Sequence, residues 1–298
     1  MAKDFNVKGS IVALITPLNE DKSINYKKLE ELLEFHIANK TDGILILGTT
    51  SESPTFVWEE DYEIVKLAVD VCKGRVPLIA NAGSNDTNTS FQKAKRFEKA
   101  GVDALLAISP YYNKANKKGL YHHIYDVADS VDIPVIVYNI PGRTGINIPI
   151  DVMSELAKKD NIVGVKEATG DMGYVTKLAK ATEDENFLIW SGNDDITIPI
   201  MSVGGAGTIS VLANLLPELA HNMTWDYLNG DTQKAAKTQL DYLPLINDLF
   251  IEVNPIPIKE AMNLAGMNVG GFRLPLWEME DKNREILKKE MQRMGIIK

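Results

Sequence analysis

Residues 162–168 read Ile162-Val163-Gly164-Val165-Lys166-Glu167-Ala168, an apolar run that turns charged only near its end. Nothing polar alternates through its first four positions, so it reads as a strand covered on both faces. Seven more runs share that character: Ser10–Thr16, Gly43–Gly48, Val76–Ala82, Ala104–Ser109, Val135–Ile140, Phe187–Ser191 and Gly207–Val211. Segments of helical period lie between them, such as Leu29, Leu32, Leu33 and His36 at i, i+3, i+4 and i+7. Repeated strand–helix units imply parallel strands joined by right-handed crossovers. Eight units predict an α/β protein closed as a (β/α)8 barrel of the TIM type rather than an open doubly wound sheet.

The eighth helix runs out at Asn229-Gly230-Asp231, a plain turn signal. Residues 1–230 are therefore expected to form the barrel, and 231–298 a C-terminal helical region packed on it. In that region Ala236, Leu240, Leu243, Ile246, Phe250 and Val253 predict one apolar stripe, interrupted by Pro244, which should kink the helix. Asn254-Pro255-Ile256-Pro257 marks a break, with Pro257 suited to the first turn of the next helix.

Composition narrows the function. The chain has 298 residues, 45% of them hydrophobic, with a net charge of −9 and no basic run, so neither nucleic acid nor an anionic membrane is an expected partner. The start MAKDFNVKGS carries no apolar signal core, and no window approaches eighteen apolar residues; a cytoplasmic protein is expected. The lone cysteine, Cys72, falls on an amphipathic pattern with Tyr62, Val65 and Val69 and reads as a buried structural thiol. His36, His122, His123 and His221 lie on helix patterns with no HExxH or Cys/His spacing, so no metal is expected. Neither a GxSxG elbow nor a Walker loop is present. The clusters Gly204–Gly207 and Gly266–Gly271 lack the strand–helix context of a dinucleotide site.

In such a barrel the reacting groups lie at the C-terminal ends of strands. Lys166 is the unusual residue there. Period-two alternation puts Ile162, Gly164 and Lys166 on one face, with the small Gly164 leaving room below a long side chain. A desolvated lysine with a depressed pKa is the nucleophile that condenses with carbonyl substrates. The competing reading is a lysine that snorkels outward or pairs with Glu167. Tyr138 occupies the matching end of the neighbouring strand, where a phenol can shuttle protons; otherwise it is a core tyrosine. Thr49 and Thr50 offer hydroxyls and free N–H groups suited to a carboxylate, or else an N-cap. Arg143 offers a bidentate fork for a second carboxylate, or is an ordinary surface arginine.

These residues resemble a known family. The segments GSIVALITP, GTTSES, SPYYN, YNIPGRTG, GVKEATGDM, SGND, GTISV, NPIPIK and FRLPL are similar, nearly end to end, to 4-hydroxy-tetrahydrodipicolinate (dihydrodipicolinate) synthases of the N-acetylneuraminate lyase superfamily. The resemblance implies condensation of pyruvate with L-aspartate-4-semialdehyde on the path to diaminopimelate and lysine, with no cofactor beyond the covalent imine between Lys166 and pyruvate. It implies that Tyr138 transfers protons to and from that imine. Thr49 links Tyr138 to Tyr112, which such enzymes contribute from a neighbouring subunit, so a dimer within a homotetramer is expected. Thr50 would bind the pyruvate carboxylate, the backbone at Gly192 and Ile209 would border the pyruvyl group, and Arg143 would hold the carboxylate of the semialdehyde.

Two departures stand out. The family usually has glycine where this chain has Ser51; if that turn requires a positive φ, serine costs about 1–2 kcal/mol. Lysine-inhibited relatives carry histidines and a glutamate where this chain has Trp58, Asp61 and Thr89, which implies weak or absent lysine feedback. Two other functions stay open on the residues alone. One keeps the imine but takes a sugar-like acceptor, which Arg143 suits less well than an amino-acid carboxylate. The other is a non-catalytic barrel that binds a keto acid.

Overall fold

Every predicted strand forms, and the order of strands follows from the apolar runs. A computed structural model describes residues 5–298. Among these the strands β1 (Gly9–Ala13), β2 (Gly43–Ile46), β3 (Leu78–Asn81), β4 (Ala104–Ile108), β5 (Val135–Asn139), β6 (Ile162–Glu167), β7 (Leu188–Ser191) and β8 (Gly207–Ser210) close in chain order into a barrel. The observed strands end earlier than the apolar runs because burial continues after the ladder stops. Beyond β1, for example, Leu14 N–H donates to Leu45 O at 2.9 Å and Ile15 N–H to the Asn214 side chain at 3.0 Å.

The chain divides into two compact units, one reaching Gly9 and covering Pro77–Ile209, the other covering Ser10–Val76 and Ser210–Lys298. In the first, α3 (Thr87–Ala100), α4 (Lys117–Asp129), the short α5 (Pro141–Thr144), α6 (Ile150–Ala157), α7 (Met172–Ala181) and the short α8 (Thr197–Met201) alternate with strands. Asp86, Asn116 and Asp171 cap α3, α4 and α7 by accepting backbone N–H groups of the first turn. The parallel register sets Tyr138 beside Lys166 and Asn139 beside Glu167, and on the other side Lys166 beside Trp190. An irregularity at Val135/Ile136 separates this register from the strand start.

The second unit holds β1, β2, α1 (Tyr26–Ala38), α2 (Trp58–Cys72), α9 (Pro217–Leu228), α10 (Thr232–Asp248), α11 (Ile256–Leu264) and α12 (Asp281–Arg293). Asp42 accepts from Ser10 N–H and Trp225 Nε1 and lies 2.9 Å from His221 Nδ1, tying α9 to the starts of β1 and β2. Cys72 is buried on α2, as its pattern implies, and Pro257 enters the first turn of α11. The stripe expected on α10 is displaced. Ala235, Gln239, Leu245, Ile246 and Leu249 are buried, whereas Leu240, Phe250 and Val253 are exposed. The apolar spacing gave the period correctly but not the phase, because α10 packs on both α9 and α12 and continues through Pro244.

Gly164 shows how tightly β6 and β7 approach. A Cβ there would meet Leu188 O at 2.2 Å and Trp190 Cζ3 at 2.6 Å. The room left by this glycine is thus filled by β7 and its indole, not by Lys166. Both neighbours belong to a buried strand, so neither yields cheaply. Gly164→Ala should destabilise the fold by about 1–3 kcal/mol, the usual range for overpacking. Urea or thermal unfolding of the variant checks this, and an unchanged midpoint contradicts the close approach.

Candidate active site

Lys166 ends an apolar strand and stays inside it. Its side chain is buried, with 5% of the residue exposed, and its Nζ lies 4.6 Å from the centroid of the Tyr138 ring. Among the described residues no carboxylate forms an ion pair with it. Glu167, the expected alternative partner, faces elsewhere: its Oε1 accepts from Thr169 N–H at 2.7 Å and its Oε2 from Asn139 Nδ2 at 2.9 Å. Neither snorkelling nor pairing with Glu167 therefore describes Lys166. Burial pulls its pKa from 10.5 down to about 8; Asp194 opposes the shift and Arg143 adds to it.

Gly192 makes the space that Lys166 uses. It follows β7, and a Cβ there would sit 3.2 Å from Lys166 Cε and 2.8 Å from Ala168 Cβ. Its N–H donates to Glu167 O at 2.7 Å, continuing the β6–β7 ladder past the last paired residues. Directly after it, the turn Asp194–Ile196 carries the buried Asp194, whose charge favours the ammonium form of Lys166.

A polar layer backs the strand ends. Asn139 Nδ2 also donates to Asn147 Oδ1 at 2.9 Å, and its Oδ1 accepts from Ile148 N–H at 3.1 Å. Tyr174 Oη donates to Ile148 O at 2.7 Å. Burial pushes the Glu167 carboxyl up, against the hydrogen bonds from Thr169 and Asn139 that lower it. Every member of this layer has a partner, so it holds β5 and β6 in one register without exposing a free charge.

Arg143 sits on α5, directly after β5, and is exposed. Its turn is closed by Gly145, which is left-handed at φ 69° and returns its N–H to Pro141 O at 2.9 Å. Ile209 lies fully buried on β8. Tyr112 stands apart from this group: it follows β4, is 93% exposed, and has a left-handed φ of 69°. A tyrosine at positive φ is a strained backbone, of the kind that marks functional loops.

Thr49 and Thr50 belong to the other unit, on a 3-10 turn (Thr49–Ser51) directly after β2. Neither is a cap. The capping position is Gly48, and no side chain caps the turn. Thr50 is buried, and its Oγ1 accepts from Asn254 Nδ2 at 3.0 Å. Ser51 does not take a positive φ; the left-handed residue is Glu52, at φ 62°. The serine instead donates from Oγ to Leu14 O at 2.6 Å, so the glycine-like strain considered for that position does not arise. Glu52 is fixed by Lys259 Nζ at 2.8 Å and by Arg273 N–H at 3.0 Å, both in the same unit. Lys259 also donates to Thr16 O and Gly271 O.

Burial pushes His36 down to about 3 and lowers His123, and among the described residues no cluster of His, Cys, Asp or Glu is arranged to hold a metal. Sequence reasoning passed over Asn254, Glu52, Lys259 and the electrostatic part of Asp194. Glu52 and Asp194 were visible at strand ends, but without a partner in the sequence their roles had no signal. Asn254 and Lys259 reach their partners across about 200 residues of chain, a distance no local pattern spans.

Residues 6–294 match the model of the dihydrodipicolinate synthetase family. A 4-hydroxy-tetrahydrodipicolinate synthase of Thermoanaerobacter sp. (strain X514) is 51% identical over 292 residues, 98% of each chain. One of Clostridium perfringens (strain SM101 / Type A) is 50% identical over 291 residues, 98% of this chain and 99% of its own. The fold superposes with a TM-score of 0.95 on the chloride-inhibited dihydrodipicolinate synthase from Acinetobacter baumannii complexed with pyruvate, at 38% identity over 98% of this chain and all of the other. The chain belongs to the dihydrodipicolinate synthetase family.

Proposed function

We propose that this chain is a Schiff-base lyase that condenses pyruvate with L-aspartate-4-semialdehyde to give 4-hydroxy-tetrahydrodipicolinate. The observation that carries the reading is Lys166: a buried amine that forms no ion pair among the described residues, its pKa brought to about 8, facing the Tyr138 ring. A neutral amine attacks the ketone of pyruvate, water leaves from the carbinolamine, and the imine loses a methyl proton to become an enamine. The enamine carbon bonds to the aldehyde carbon of the semialdehyde. The amine of that acceptor then attacks the imine carbon and expels Lys166, closing the ring with one water lost overall. No other cofactor is needed, because the protonated imine is itself the electron sink.

Each remaining residue has a role matched to its chemistry. Tyr138, the register neighbour of Lys166, carries the protons of carbinolamine formation and dehydration. Thr49 relays between Tyr138 and Tyr112. Tyr112, projecting from its own chain, is completed in a second copy, which makes the working unit a dimer within a tetramer. Thr50 holds the pyruvate carboxylate, and the backbone at Gly192 and Ile209 borders the pyruvyl group. Arg143, exposed beside β5, receives the carboxylate of the semialdehyde, and this favours an amino-acid acceptor over a sugar. No helix of the described residues is long and apolar enough to cross a membrane, in keeping with a cytoplasmic biosynthetic enzyme.

Borohydride reduction in the presence of pyruvate, followed by peptide mass mapping, should place a pyruvyl adduct on Lys166, and turnover should then require aspartate semialdehyde. An adduct on another lysine overturns the assignment. The pH dependence follows from the lowered amine pKa: the neutral, reactive form is lost as pH falls below about 8. The rate of imine trapping should therefore drop about tenfold per pH unit on the acid side and level off above that value. A flat profile between pH 6 and 9 contradicts a titrating Lys166. Trp58 and Asp61 on α2 and Thr89 on α3 give weak or absent feedback by L-lysine. Assays at saturating pyruvate should show activity unchanged by millimolar lysine, and clear inhibition would refute this.

A further inference from the structure

Asn254 meets Thr50 from the segment before α11, far in sequence from every strand. It is 7% exposed, and its Nδ2 donates to the Oγ1 of Thr50, which is 2% exposed. The turn bearing Thr50 is held at several points. Ser51 and Glu52 return their N–H groups to Gly48 O and Thr49 O, Ser51 Oγ bonds Leu14 O, and Glu52 is held by Lys259 and Arg273. What remains adjustable is the rotation of the Thr50 hydroxyl. A hydroxyl has one proton and two lone pairs, while an amide nitrogen only donates. Once Asn254 occupies a lone pair, the proton must point to a different acceptor, and among the described residues it has none.

We propose that Asn254 is a positioning residue of the pyruvate subsite: by taking one lone pair of Thr50 Oγ1 its amide directs the hydroxyl proton away from itself, as a donor to the carboxylate of pyruvate. The inference rests on the assignment of Thr50 to the pyruvate carboxylate. It adds a determinant of selectivity in the C-terminal region. A carboxylate accepts at both oxygens, whereas an ester or amide in its place offers a weaker acceptor and no charge.

The test uses the full chain with Asn254→Ala, Asn254→Asp and Thr50→Val, each checked for an unchanged melting curve. Asn254→Ala should raise the KM for pyruvate about tenfold, the worth of one hydrogen bond to a charged group, with a much smaller change in kcat. Asn254→Asp should raise it further, because an ionised carboxylate takes the Thr50 proton for itself and repels the substrate. Imine trapping with methyl pyruvate should respond much less than with pyruvate. In the Thr50→Val background, Asn254→Ala should add less than twofold. If Thr50→Val itself leaves the pyruvate KM unchanged, the assignment of Thr50 fails. If Thr50→Val raises KM while both Asn254 variants do not, or if kcat falls and KM stays, the role of Asn254 alone is overturned. Should Asn254→Asp fail to fold, Asn254→Ala and the double variant still decide.

Discussion

The whole site depends on an ammonium group being kept out of water. Lys166 is placed at the end of a strand whose other residues are apolar, and the resulting desolvation lowers its pKa from 10.5 to about 8. A displacement of that size is worth roughly 3 kcal/mol, a sizeable part of the 5–15 kcal/mol by which a typical domain is stable. The fold supports it by giving Lys166 little competing partnership. Glu167 is turned away into bonds with Asn139 and Thr169, and Lys166 Nζ lies over the Tyr138 ring. Asp194 opposes the shift by favouring the ammonium form.

A different problem is solved in the unit of Thr50. There a lysine is buried as completely, but Lys259 is given a carboxylate and two carbonyl oxygens. Breaking such a pair strands a buried charge, which is far more costly than the pair is stabilising. The pair therefore acts as a geometric restraint on Glu52, whose left-handed backbone ends the threonine-bearing turn. Two buried lysines thus have opposite surroundings: Lys166 forms no ion pair and is opposed only by the nearby charge of Asp194, whereas Lys259 is fully paired.

Much of this could be read from the sequence because it is local. Continuous apolar runs fixed all eight strands, and their ends yielded Lys166 and Tyr138, whose side-by-side register needs no long-range information beyond strand order. The phase of the α10 stripe was misread because a helix between two neighbours does not bury the face its strongest hydrophobes suggest. Gly164 was read as the residue that leaves room beside the lysine, and Gly192 had no such reading. Only the approach of β7 shows that Gly192 clears space for the amine's stem while Gly164 admits an indole. Asn254 gave no sign at all, since an asparagine before a proline is an ordinary chain break until its partner is known.

The register of β5 against β6 also bears on how such a protein can change by inheritance. A single inserted or deleted residue inside either strand turns Lys166 or Tyr138 to the opposite face, so mutation cannot alter these strands in length and keep the pair. The segment between them, with α5, α6 and Arg143, is under no such restriction. Length changes there leave Lys166 and Tyr138 side by side in the ladder, so the surroundings of Arg143 can vary while that pair stays in register.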